Sequence, residues 1–192
     1  MAQKYLPPAI RKRNERIINE EWDGLGVMLV WKGKLCMMDD RKKDKLMTIK
    51  KRLPRGSAVP NNAEEIAFQM FRDKTGYTGT MISHRRHYIS DYEYPFDLHQ
   101  EGDKKGNASK TVKFFLAEST DPDEPEFKDT ADRKFEFYTI EELTDMRQNT
   151  PKRLVAGYRK DFAQFEMCKK AISDYLSITR EHHTSAIAQE AD

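Results

Sequence analysis

The sequence predicts one α/β domain built on a mixed sheet. Strand-like segments come first, a single amphipathic helix interrupts them, more strands follow, and a long amphipathic helix closes the pattern. The 192 residues suffice for one packed domain with extensions and are tight for two. No internal repeat is visible, so a stacked-repeat architecture is not expected.

Each element follows from its local pattern. Residues 1–23 are a basic extension; within it, 8–22 carry a partial apolar stripe of Ile10, Ile17, Ile18 and Trp22, with Pro8 near the start of the expected helix. The stretch "GLGVMLVWKGKLCMM" reads as two strands around a tight turn at Lys32-Gly33, and "LMTIKKRL" as a further strand. From Ala63 to Lys74 the period becomes helical, with Ile66, Ala67, Met70 and Phe71 on one side. Asn61 or Asn62 is its expected N-cap and Gly76 its C′ residue. "TMISHRRHYISDYEY" predicts one or two strands, and "DLHQEGDKKGNAS" a loop. "KTVKFFLAE" and "KFEFYT" predict strands flanking the acidic loop "STDPDEPEFKDTAD". Thr139, with Glu142 three residues on, forms a capping box for the helix "IEELTDMR". A long helix is expected after Thr150-Pro151, to about Ile178. The domain thus spans 24–178, with 179–192 a flexible tail.

Composition narrows the setting. Apolar content is 38%, charged content 34%, and no run of about 18 apolar residues exists to span a membrane. The N-terminal segment lacks the apolar stretch of a secretory signal, and Glu15, Glu20 and Glu21 argue against a transit peptide. Cys36 and Cys168 suit free thiols in an intracellular, reducing compartment: cytoplasm, with mitochondrion and nucleus left open. Neither the cysteines nor His84, His87, His99, His182 and His183 show metal-ligand spacing. The net charge of +2 hides a segregation. Arg41–Arg55 holds eight Lys or Arg against Asp44, and Glu118–Asp132 seven acids against Lys128. Such runs are often plain solvated loops, but the basic one leads directly into a proline-glycine turn, where a phosphate would meet a positive field.

The order "LPRG", a capped helix ending in "TGY", then "KFFLAE" and "FYTIEEL" resembles the Nudix family over roughly 24–178. The resemblance implies an α/β/α sandwich around a mixed sheet. It also implies glutamates on the central helix that hold magnesium or manganese against a diphosphate while water attacks phosphorus. The chemistry needs those acids, because a cation must neutralise the diphosphate and activate the water. Anchored on "TGY", the family's arginine falls on Gln69, the next glutamate on Met70, and the following pair on Asp73 and Lys74. Asn62 stands near the first glutamate, and the interval from Gly56 to Gly76 is one residue short. Glu64 and Glu65 are acids further upstream, but Glu65 and Asp73 are separated by roughly 12 Å along the axis, too far for one small ion.

Three outcomes stay open for such a degenerate box. The helix is purely structural; or a ligand is bound without metal, through Lys74 together with Lys50, Lys51, Arg52, Arg55 and Gly56; or relocated acids (Asp73 with Glu64 or Glu65, and one of Asp97, Glu101 or Asp103) hold magnesium or manganese and hydrolysis continues. Relatives with degenerate boxes include RNA-binding proteins. Arg86 and Tyr88, with Tyr92, Tyr94 and Phe96, supply a cation and rings for stacking on a base, unless those aromatics simply fill a sheet face. Lys152, Arg153, Arg159, Lys160, Lys169 and Lys170 make either a basic surface or ordinary solvated positions around an apolar stripe. The expectation is a Nudix-like protein that binds a nucleotide, RNA or another phosphate-rich ligand with little or no hydrolysis. The alternatives are an active pyrophosphohydrolase on nucleoside-diphosphate-linked or capped-RNA substrates, and a scaffold subunit with protein partners at its basic N-terminus and C-terminal helix.

Overall fold

The computed structural model describes residues 23–53, 61–96, 106–154 and 163–189; side chains are described for 23–53, 61–90, 111–154 and 165–180. The basic extension, apart from Asp23, lies outside them.

Strands β1 (Gly24–Trp31) and β2 (Lys34–Asp40) form the expected hairpin. Lys32 and Gly33 take φ of 46° and 78°, the paired positive values of a turn whose twist suits two-residue hairpins. The segment expected as one strand is two, β3 (Lys45–Met47) and β4 (Ile49–Arg52). The cause is the sheet. β2 meets β1 only near the turn, at Val30–Leu35 and Trp31–Lys34, which leaves the first half of β1 without that partner. The chain therefore pairs with β2 as β3, passes buried Thr48, and pairs with β1 as β4, with Gly24 opposite Arg52 and Val27 opposite Ile49.

Helix α1 (Ala63–Thr75) follows, then β5 (Met81–Phe96), β6 (Gly106–Ser119), β7 (Arg133–Tyr138), α2 (Ile140–Asn149), a 3-10 turn (Pro151–Arg153) and α3 (Ala163–Gln189). β5 is one continuous strand with an irregularity between Ser83 and His87, and β6 takes in Gly106–Ser109, which sequence patterning assigns to a loop. Each strand's period-two signal is diluted by polar residues, yet their mutual ladder sustains both. The capping box at Thr139 and Glu142 is present, with backbone-to-side-chain distances of 2.7 and 3.1 Å. α3 runs past Ile178 to Gln189.

The strand order is β3-β2-β1-β6-β5, with β4 also on β1 and β7 also on β2. β1 and β6 are parallel and the other pairs antiparallel, so the sheet is mixed. β1 is buried throughout. Leu25, Val27, Leu29 and Trp31 face α1, while Met28 and Val30 join Phe165, Cys168 and Ile172 of α3 on the other side. Two apolar clusters, one on each face, make the α/β/α sandwich. The acidic loop is pinned to the α1 side by Phe127, whose ring lies 5.7–6.4 Å from those of Phe71, Tyr77, Phe135 and Phe137. No helix among the described residues is long and apolar enough to cross a membrane.

Gly26 is needed at the centre of this arrangement. A Cβ there would come within 2.4 Å of the Phe114 ring and 2.7 Å of the Ile49 carbonyl oxygen. Gly26→Ala is expected to destabilise the fold by about 1–3 kcal/mol, through overpacking. A denaturant midpoint checks this, with the slope unchanged.

Candidate functional site

α1 lies on the sheet through residues that recur every fourth position. Ala67, Phe71 and Thr75 form the buried stripe. Gly76, at φ 71°, closes the helix as expected and donates to the Arg72 carbonyl at 2.8 Å. Asn62 occupies the N-cap position without a side-chain cap. Beside the buried stripe, Met70 and Lys74 share a flank that faces β4, since residues four apart lie above one another. Glu65, Gln69 and Asp73 occupy the exposed side.

Met70 closes a crevice formed with Leu25, Gly26, Val27, Ile49, Lys50 and Lys51, leaving no room for a water molecule. One turn on, the Lys74 ammonium donates to the Lys50 carbonyl oxygen at 2.9 Å. Lys74 is half-buried. Burial pushes its pKa down, Arg133 and Lys43 push the same way, and Asp40 partly offsets them. Asp40 is itself buried at 5% exposure, on the α1 face of β2 with Cys36 and Met38 and opposite Arg133 of β7. Its carboxylate accepts from the Lys43 backbone N–H at 3.2 Å and lies 3.5 Å from the Lys43 ammonium.

Among the described residues, the acids singled out in the sequence do not converge. Asp73 is exposed and accepts a hydrogen bond from Gln69 at 2.8 Å. Glu65 is exposed, and Glu64 is turned to β5, where it accepts from the Ser83 hydroxyl at 2.5 Å. Among the described residues, no group of three or more His, Cys, Asp or Glu is placed to hold a metal ion. Lys50, half-buried, and Lys51 and Arg52, both exposed, lie on β4. Arg55 and Gly56 lie outside the described residues, as do Asp97, Glu101 and Asp103.

Arg86 is exposed at the irregular part of β5. Tyr88 is 7% exposed and belongs to the α3-side cluster; its hydroxyl donates to Asp174 at 2.8 Å, and burial with that bond raises its pKa. Its ring is thus on the sheet face opposite α1. On the C-terminal side, Arg153 pairs with Asp39 at 2.7 Å and Lys170 with Asp174 at 3.2 Å; Arg159 and Lys160 are outside the described residues. Sequence reasoning missed Asp40 and Arg133. The available signal was the alternation in "CMMDD", which puts the last acid on the same face as Cys36 and Met38.

No family model matches the sequence, and no curated protein matches it. Solved structures do match. A C. elegans Ap4A hydrolase in a binary complex is similar at 16% identity and TM-score 0.50, over 80% of this chain and 96% of that one. A Nudix-family hydrolase from Clostridium perfringens is similar at 13% identity and TM-score 0.43, over 78% and 94%. The E. coli dihydroneopterin triphosphate pyrophosphohydrolase is similar at 11% identity and TM-score 0.44, over 79% and 94%. The fold is a Nudix fold.

The resemblance read from the sequence expects magnesium or manganese on the central helix, so the donors at the positions it assigns bear on whether an ion fits. Hard divalent cations take oxygen ligands. The relevant positions here carry a thioether at Met70, an ammonium at Lys74, and at Asp73 a carboxylate on another face of the helix. That donor set does not fit a divalent ion, and an adjacent ammonium would repel one.

The lowered pKa of Lys74 has a signed consequence. Between its folded value and about 10.5 the unfolded chain binds more protons than the folded one, so stability rises with pH in that window. Relative to Lys74→Met, the wild type is therefore expected to gain stability as pH is raised from neutral towards about 10.5. Thermal melts of both proteins across that range check the sign.

Proposed function

We propose that this Nudix-fold protein binds a nucleotide, RNA or another phosphate-rich ligand with little or no hydrolysis. The observation that carries this reading is the 2.9 Å bond from the Lys74 ammonium to the Lys50 carbonyl, on the helix flank where the fold implies a metal. An ammonium neutralises phosphate charge and donates hydrogen bonds, but it does not generate a metal-activated water. Lys51 and Arg52, exposed on the adjoining strand, extend the positive surface from which an anionic ligand would be met. Tyr88, held in the core by Asp174, is not part of this site.

The setting belongs to the same proposal. Cys36 and Cys168 are buried free thiols in the two different apolar clusters, which suits a reducing intracellular compartment.

Binding of single-stranded RNA and of a nucleotide panel, measured in EDTA over a range of salt, tests the reading. The expected result is metal-independent binding that weakens with salt. Lys51→Ala and Arg52→Ala should each lower the salt slope by about one unit. Brisk release of phosphate or mononucleotide once magnesium or manganese is supplied would overturn it.

A further inference from the structure

β5 ends the strand order, and among the described residues no strand pairs with its outer edge. Which of its backbone groups face outward follows from β6. The Thr111 carbonyl accepts from the Asp23 N–H at 2.8 Å, and the Thr111 N–H donates to the Asp23 carboxylate at 2.9 Å. Thr111 therefore turns its backbone groups towards β1. Its antiparallel partner Asp91 turns its own away from β6, and alternation along the ladder extends this to His87, Ile89, Glu93 and Pro95. Pro95 agrees with this phase, because a proline has no N–H for a ladder and belongs on an open edge.

The edge is blunted at both ends. The irregularity between Ser83 and His87, with Arg85 at φ 53°, breaks it on one side, and Pro95 removes a donor on the other. Between them lies a regular stretch, residues 87–93, on which Ile89 is 39% exposed. Charge is uneven along it: His84, Arg85, Arg86 and His87 precede Ile89, and Asp91 and Glu93 follow. Arg85 and Arg86 are exposed. A strand that is basic before its midpoint and acidic after it is complementary to itself when reversed.

We propose that this edge pairs antiparallel with the same edge of a second copy of the chain, about a two-fold axis at Ile89. Bonds form only where outward groups meet outward groups, and near the middle of the stretch axes at Ile89, Ser90 and Asp91 satisfy that. An axis at Asp91 sets two aspartates opposite each other, which destabilises a pair of strands. An axis at Ser90 sets the exposed Ile89 against an aspartate. An axis at Ile89 sets that residue opposite itself and His87 opposite the second copy's Asp91, and brings Arg85 and Arg86 towards its Glu93. Complementary charge therefore selects the axis at Ile89. A contact confined to one short edge falls at the low end of interface sizes, below roughly 1,200 Å², so the dimer is weak and concentration-dependent.

Sedimentation velocity of the full chain, from micromolar to millimolar concentration, tests the pairing. Wild type should pass from monomer to dimer. Ile89→Lys and Ile89→Glu each oppose like charges at the axis and should dimerise about tenfold more weakly. An equimolar mixture of the two should recover association, because lysine then meets glutamate. Ile82→Lys, at a 46% exposed isoleucine of β5 outside the stretch, should behave as wild type does. Circular dichroism establishes that each variant is folded. A wild type that stays monomeric throughout overturns the pairing, as does an Ile89→Lys protein that dimerises as tightly as Ile82→Lys. A mixture no stronger than its components, or an Ile89→Lys protein tighter than wild type, overturns the axis at Ile89.

Discussion

The register of β4 against β1 is the constraint on which the contact between α1 and β4 depends. Gly26 stands opposite Lys50 and Val27 opposite Ile49, and the missing Cβ of Gly26 lets Phe114 and β4 approach together. A residue's slip would turn every side chain of β4 to the other face and move its carbonyls with them. With this register the Lys50 carbonyl oxygen is presented to α1, where Lys74 meets it. The apolar stripe of α1 sets the other half of the contact, since burying Ala67, Phe71 and Thr75 fixes the helix rotation that aims Met70 and Lys74 at β4.

Magnitudes separate binding from catalysis here. One charge-assisted hydrogen bond contributes roughly 1.5–3 kcal/mol, which is about ten- to a hundredfold in affinity. Rate enhancement by enzymes commonly requires about 8–23 kcal/mol of transition-state stabilisation. A tethered ammonium and a few neighbouring cations meet the first requirement comfortably. They fall well short of the second, because a monocation on a carbon chain neither lowers the pKa of a bound water nor draws two phosphate oxygens into one coordination sphere.

Much of the fold was legible because its signals are local. Lys32-Gly33, Thr139 with Glu142, and Gly76 each specify a backbone conformation from one or two residues, and the structure has all three. The division of "LMTIKKRL" at Thr48 was not legible, since it depends on how far β2 stays beside β1. The same holds for β5 and β6, which support one another along a ladder that neither sequence announces alone. At the site, the residues standing where the resemblance expects a metal were readable from the sequence, whereas their directions were not. Asp73 and Lys74 are neighbours in sequence yet lie on different faces of the helix, and Tyr88 turns to Asp174 rather than to the α1 face of the sheet. Asp40 was hidden among surface-like charges because it is buried where β7 pairs along the end of β2.

The central claim is that an ammonium on the chain occupies the electrostatic role the fold elsewhere gives to a divalent ion. Titrating the full chain with manganese and following the paramagnetic resonance signal of the free aqueous ion tests this most directly. The account predicts that the signal grows with added manganese as it does in buffer, with no saturable loss. A saturable loss that disappears in Asp73→Asn would contradict it.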